Sequence, residues 1–377
     1  MSQYQSKKRK RNVVVHNGDT EDTSRPSAIF KPTTGRQWTL SIALPGSIVA
    51  NAQSHDLKTM LAAHIARACA VFCVDEIIIF NDGQSQKSGR RPSGRNYEEG
   101  DGYTGYSDPD DFLYHVLSYL ETPPHLRKWL FPMHPNLRTA GAMPSLDMPH
   151  HLRANEWCQY REGVTVGPVE TTNKKQKNHG GDASEGTGAT LVDCGLPTRA
   201  RIPVSLPPDT RVTVKFASTT EPAMDGNVTL PAEAVSPDAP REEAGYYWGY
   251  ATRMASSLSA VFTESPYDGG YDVSFGTSER GSKLATLLRA EKGSNKDDVP
   301  PVPERWNHII IVFGGVAGLE VALAADEELT SKGVTEAKDV FDYWINLVPG
   351  QGSRTIRTEE AVWLGLMGLR EIVDKRL

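Results

Sequence analysis

The stretch from Trp38 to Phe80 constrains the fold of this chain more than any other. WTLSIAL (38–44) is an apolar, β-prone run closed by Pro45-Gly46, and DEIIIF (75–80) is the uninterrupted apolar run of a strand buried on both faces. Between them Ser54 offers an N-cap, and Leu57, Met60, Leu61, Ile65, Ala68 and Phe72 recur at helical spacing. Strand, helix, strand is a βαβ unit, so the pattern predicts an α/β domain with a mostly parallel sheet.

From 83 to 108 the chain turns Gly/Ser/Arg-rich and polar, which reads as an insertion. Asp110 to Leu120 follows as a helix, then HLRKWLFPMHPNLRTAG, a proline-broken segment with basic and aromatic residues interleaved. Near Glu162 the character changes. REGVTVG, ATLVDCG, RIPVSLP and TRVTVKF are short β-prone runs at close spacing, the pattern of a small β-barrel or sandwich. A polar loop, TTNKKQKNHGGDASEGTG, lies between the first two. Helix-then-strand order resumes at GYYWGYATRMASSLSAVF. GYDVSFGTSERG, a polar insertion at 290–304, the strand NHIIIVFGG, an acidic loop (326–338), the strand VFDYWINLV and a last helix from about Thr358 complete the chain. The β-rich module, 161–243, is therefore expected as an insertion between two parts of one α/β domain, 36–160 and 244–377.

Charge is unevenly placed. The net charge of −6 hides a tail, 1–35, with seven Lys/Arg against three Asp/Glu, hence +4 there and −10 elsewhere. That tail is expected to be disordered, and its KKRKR (7–11) is either a nuclear-import signal or a solvated charge run. A polyanion partner must meet local basic patches, since the field of the whole chain opposes it. No apolar run approaches the roughly 20 residues that span a bilayer, and the polar, basic start is no secretory signal. Cys69, Cys73, Cys158 and Cys194 make no disulfide framework and complete no zinc site, and His150-His151 reads as structural or exposed, so no metal is expected.

Three glycine-bearing turns follow three expected strands: FGTSERG (275–281), VFGGVAGLE (312–320) and VPGQGSRTIRTEEA (348–361). Ligands in open parallel sheets bind outside the carboxyl ends of strands, so the three can form one site. It is not a nucleotide-phosphate site of known pattern. Gly352 is followed by Ser353-Arg354 instead of Lys-Ser/Thr, and Thr355 stands where the third glycine of G-x-G-x-x-G belongs.

These segments, with FPMHPNLRTAGAMPSLDMPHHLR and REGV, resemble the eukaryotic and archaeal SPOUT-domain RNA methyltransferases, closest to the group with an OB-like insertion and links to spindle and centromere. The resemblance covers nearly all of 36–377 except the polar insertions. It implies an α/β fold tied in a C-terminal trefoil knot, a homodimer, and S-adenosylmethionine as methyl donor. It implies that Thr277, Gly314, Gly315 and Gly318 hold that donor together with the knot-loop residues Pro349, Gly350, Gln351, Gly352, Ser353, Thr355 and Ile356. A donor without phosphates suits a dry, glycine-permitted bend of backbone N–H and C=O groups, and a β-branched side chain at Gly352 is expected to enter that bend. Arg67 matches an arginine that faces the target nucleotide in related enzymes, although an arginine snorkelling from an apolar helix reads equally well. Arg280, Arg354 and Arg357 either clamp RNA phosphate or sugar or pair with Glu279, Glu359 and Glu360. The module at 161–243 would present strands to looped RNA with little stacking, since Phe216 is its only aromatic residue between Gly163 and Pro240.

The function expected from all this is an RNA methyltransferase acting on structured RNA, ribosomal RNA first, in the nucleus or nucleolus. If the acceptor is uridine N3, Glu279 is a candidate base; if it is a ribose 2′-hydroxyl, Arg67 is the better-placed activator. The alternative is a non-catalytic ribosome-assembly or spindle-associated protein that keeps the fold as a binding surface.

Overall fold

The computed structural model describes residues 32–84, 105, 107–168, 188–222, 229–290 and 299–376. The KKRKR motif, most of the 83–108 insertion, the TTNKKQ loop and residues 291–298 lie outside the described residues. None of the described helices is long and apolar enough to cross a membrane.

The βαβ unit forms as the spacing requires. β1 (Thr39–Pro45) and β2 (Glu76–Phe80) flank α1 (His55–Val71), whose first turn is capped by the Ser54 hydroxyl accepting from Leu57 N at 3.3 Å. Proline opens α2 (Pro109–Glu121), and Asp108 caps it by accepting from Asp111 N at 3.0 Å. A one-turn α3 (Arg127–Leu130) follows.

Next comes the β-rich module: β3 (Tyr160–Pro168), β4 (Thr190–Asp193), β5 (Ala200–Ile202), β6 (Arg211–Phe216) and β7 (Leu230–Val235) close into a five-stranded barrel in the order β3-β4-β5-β7-β6. Its core is Val192, Cys194, Ala200, Ile202, Val214, Phe216, Leu230 and Ala232. The closing strand β7 carries Pro231, which masks it as a strand in the sequence. RIPVSLP contributes only Arg201 and Ile202 to a strand.

After α4 (Ala239–Ala244), the chain re-enters the large sheet by a strand, β8 (Ala251–Ala255), and only then forms α5 (Leu258–Thr263). This reverses the helix-then-strand order expected for GYYWGYATRMASSLSAVF. β9 (Val273–Lys283), α6 (Leu284–Leu288), β10 (His308–Val312), α7 (Leu319–Ala325), α8 (Glu327–Ser331), β11 (Tyr343–Asn346), α9 (Thr358–Gly368) and α10 (Arg370–Asp374) complete the chain. The acidic loop expected at 326–338 carries one short helix, α8, with the rest in turns and a 3-10 segment from Ala337. Asp326 caps α8 by accepting from Leu329 N at 3.0 Å.

Six parallel strands stand in the order β11-β9-β10-β1-β2-β8. Their side chains alternate between two covered faces. Ile42, Leu44, Ile77, Ile79, Ile309 and Ile311 pack beneath α1, α2, α9 and α10, whereas Ala43, Ile78, Phe80, Ile310 and Val312 pack beneath α5 and α7. The fold is therefore mixed α/β with a parallel sheet and a closed barrel. Because β9, β10 and β11 are neighbours, the loops at their carboxyl ends meet.

One charged cluster binds barrel to sheet domain. Arg211 of β6 reaches Glu121, the last residue of α2, at 2.6 and 3.0 Å, and Glu162 of β3 at 2.7 Å. Thr213 Oγ1 and Trp248 Nε1 also donate to Glu162, at 2.6 and 2.8 Å. His150, 1% exposed, lies 2.9 Å from Glu121, and the His150 and His151 Nε2 atoms lie 3.0 and 2.6 Å from the Glu121 carbonyl oxygen, so this pair is structural. Burial alone would raise both carboxyls, but the Arg211 guanidinium holds them below the usual range. Arg211→Ala leaves two buried carboxylates short of their cation and is expected to destabilise the protein by about 3 kcal/mol at pH 7. Depressed carboxyl pKa values give stability above the unfolded carboxylate range and lose it as pH falls. Urea unfolding should therefore show the gap between variant and wild type narrowing as pH falls through the unfolded carboxylate range, from about pH 5 to about pH 2.

Candidate functional site

The third of the glycine-bearing segments in chain order, 347–357, follows β11, and the second, 313–318, follows β10. The first is not a turn but a bulge inside β9. Gly276 pairs with Trp344 and Ser282 with the next residue, Ile345, so residues 277–281 loop out between two stretches of one ladder. Asn346 joins two of the segments: its Nδ2 donates to the Glu279 carbonyl oxygen at 2.6 Å, and its Oδ1 accepts from Val348 N at 3.0 Å. Thr358, the first residue of α9, ties in the remaining one by donating to the Gly314 carbonyl oxygen at 2.9 Å.

The three segments line one cavity of about 360 Å³, within the usual range for small-molecule sites. Phe313, Leu347, Val348 and Ile356 give it an apolar wall, while Glu279, Arg280, Glu320 and Arg354 stand around it as charged groups. Gly314 sits where chain meets chain: a Cβ there would lie 2.8 Å from Gly318 C and 2.9 Å from Leu319 N. Gly350 takes φ 77°, a left-handed conformation that favours glycine.

Of the residues expected at the donor site, Thr277, Gly314, Gly315, Gly318, Gln351, Thr355 and Ile356 line this cavity. Thr277 Oγ1 donates to the Val312 carbonyl oxygen at 3.1 Å, which holds the bulge against β10. Pro349, Gly350, Gly352 and Ser353 are in the same segment but not among the lining residues. A Cβ at Gly352 meets nothing within 4 Å, so the clash expected from a side chain in that bend does not arise between protein atoms.

Glu279, Arg280 and Arg354 border the cavity, whereas Arg357 borders a second groove, between the 355–359 segment and the first half of α1. Arg280 is 76% exposed and 3.7 Å from Glu320, and Arg357 is 75% exposed and 3.8 Å from Glu359. Such exposed, loose pairs hold the side chains weakly and leave them available to an anion. Glu360 closes the start of α9 by accepting from Arg357 N at 3.0 Å. Arg67 is not in the cavity wall of this chain. Its Nη1 donates to the carbonyl oxygens of Ser145 and Leu146 at 3.2 and 2.7 Å. Sequence reasoning missed Asn346 and Glu320, whose one signal is a polar side chain at the end of an apolar run, and the tie made by Thr358, which the sequence marks only as the start of the last helix. No group of three or more His, Cys, Asp or Glu among the described residues is placed to hold a metal ion.

Comparison with known proteins agrees with this geometry. The chain is 41% identical over 348 residues to the human "28S rRNA (uridine-N(3))-methyltransferase", covering 91% of this chain and 81% of the human protein. It is 42% identical over 337 residues to the mouse protein of that name (89% and 77%), and 43% over 336 residues to the Drosophila melanogaster one (88% and 62%). A family model described as "Putative RNA methyltransferase" matches residues 39–369, a span that takes in the sheet, the barrel and all three cavity-lining segments. The chain therefore belongs to this RNA methyltransferase family.

Proposed function

We propose that the cavity binds S-adenosylmethionine and that the chain methylates N3 of a uridine in large-subunit ribosomal RNA. The observation that carries this is the convergence of three segments from adjacent strands on one small, partly apolar cavity without a phosphate-binding pattern. In this reading the backbone of 313–318 and 347–356 holds the adenosine, and Glu320 favours the positively charged sulfonium. When bound, the donor supplies an electrophilic methyl carbon on a sulfur that leaves as a neutral thioether. The enzyme's main task is alignment of the acceptor with that carbon. N3 must also lose its proton, and Glu279 is the carboxylate beside the cavity that can accept it. Arg280, Arg354 and Arg357 hold the RNA backbone.

The same reading takes the fold as a SPOUT domain in two parts, 36–160 and 244–377, with an OB-like RNA-binding barrel at 161–243 and a C-terminal trefoil knot. The return of the chain from the edge strand β11 to Gly314 and α1 supports the knot. It also takes the protein as a homodimer. Leu57 on α1 and Leu364 and Met367 on α9 are exposed, Met367 at 64%, on two helices whose Phe72 and Trp363 rings meet edge to face at 5.7 Å. Read as an import signal, KKRKR supports a nuclear location.

Purified protein with methyl-labelled donor and total RNA should label the large-subunit fraction, at uridine N3 by nuclease digestion and mass spectrometry. Alanine at Arg354 and Arg357 together should weaken RNA binding and lower its salt slope by about two. Donor binding without transfer to any RNA fraction would support a non-catalytic scaffold instead.

A further inference from the structure

The segment around α3 presents an exposed surface of its own, and none of residues 127–133 lines the three-segment cavity. Between Thr122 and Leu146 the chain has no Asp or Glu, although Arg127, Lys128 and Arg138 all fall there and the whole chain carries −6. Apolar side chains stand out of this same segment: Trp129 is 41% exposed and Met133 wholly so. Lys128 Nζ lies 4.9 Å from the centre of the Trp129 ring.

The ridge is rigidly mounted. Leu126 is fully buried, and the Arg127 guanidinium lies 4.6 Å from the centre of the Tyr119 ring while donating to the carbonyl oxygens of Thr122 and Leu120 at 2.9 and 3.0 Å. Phe131 stacks on His115 at 5.7 Å and 12°. Burial, and His134 beside it, push His115 down to about 4, so that ring is neutral at pH 7. Trp129 and Met133 thus place two exposed apolar side chains four residues apart on a firmly packed support. Their surroundings indicate the occupant. A protein helix would bring apolar groups, but a lysine beside an exposed indole, on a segment whose own charged residues are all cations, suits a ligand with both negative charge and π faces.

We propose that this ridge binds a single-stranded or looped segment of the substrate RNA, outside the target uridine, with a base stacked on Trp129 and a phosphate near Lys128. The proposal rests on the reading of the chain as an RNA methyltransferase and adds a place where the long substrate is held. Single-stranded RNA is recognised through splayed bases on aromatic side chains, and the barrel supplies few of these.

The test uses the full chain, a fluorescent single-stranded 12-nucleotide oligouridine, purified large-subunit ribosomal RNA and S-adenosylmethionine. Trp129→Ala is expected to weaken oligouridine binding about tenfold. It should raise KM for the ribosomal RNA similarly, with kcat and the calorimetric Kd for the donor unchanged. Trp129→Phe should restore most of the affinity, and Lys128→Gln should lower the salt slope of binding by about one. Circular dichroism and urea unfolding check that each variant folds. Oligouridine affinity within twofold of wild type in both Trp129→Ala and Lys128→Gln overturns the ridge while leaving the enzymatic reading intact. A change in oligomeric state of Trp129→Ala with unchanged RNA affinity also overturns it and makes the occupant a second copy of the chain. Failure of the wild-type protein to bind S-adenosylmethionine, with RNA binding still sensitive to Trp129, sinks the donor reading and leaves the ridge standing.

Discussion

A Gly314→Val variant is expected to lose affinity for S-adenosylmethionine by about 100-fold or more, equivalent to roughly 2.7 kcal/mol. The cause is local. A Cβ at this position falls within 3 Å of the backbone of Gly318 and Leu319, atoms that cannot rotate away as a side chain can. The 313–318 segment must open, and with it the wall of the cavity and the hydrogen bond from Thr358 to the Gly314 carbonyl oxygen. Overpacking of this kind costs about 1–3 kcal/mol in the protein itself. Isothermal calorimetry should therefore be paired with thermal unfolding, which separates a lost pocket from a lost fold. Gly352→Ala is the matching control. Its Cβ meets open space, so unfolding should be unchanged, and any loss of donor affinity would report direct contact between donor and that bend. Wild-type affinity in a folded Gly314→Val variant would remove the cavity from consideration as the donor site.

Glu279→Gln is expected to lower single-turnover methyl transfer by about 10²-fold or more at pH 7, the usual scale for loss of a positioned proton acceptor. Donor affinity should change little, because the bulge that carries Glu279 is held by backbone and by Asn346, not by the carboxylate. The pH profile carries the decision. If Glu279 accepts the N3 proton, the variant should regain rate as pH rises and hydroxide or water takes over. A parallel drop at every pH would mean that the carboxylate acts on charge alone, and an unchanged rate would leave solvent as the proton acceptor.

The α/β core could be read directly because its determinants are local. Ser54 caps α1, Pro109 opens α2, and the Ile-rich runs have no alternative to burial on both faces of a sheet. Where local signals conflict, the reading failed. Pro231 disguises β7, a strand held by barrel closure. The short apolar stretch after Gly249 suits a helix or a strand, and β8 becomes a strand because the free edge of β2 offers it a ladder. The acidic stretch at 326–338 is too short and polar to show a helical period, yet the Asp326 cap and the packing of Leu329 fix α8 within it.

The sequence by itself determined the parallel sheet, the inserted β-rich module, the absence of a nucleotide-phosphate pattern and the three segments in which ligand chemistry had to lie. These follow from periodicity and from glycine spacing, which act within a few residues. Only the tertiary structure decided that 275–281 is a bulge and not a turn, and that Asn346 and Thr358 join the three segments. It also decided that the wall of the cavity passes through Gly314 and not through Gly352. The bulge and the links through Asn346 and Thr358 depend on distant segments lying side by side, and the close approach at Gly314 depends on how the loop after β10 folds Gly318 back onto it, which glycine spacing alone does not encode.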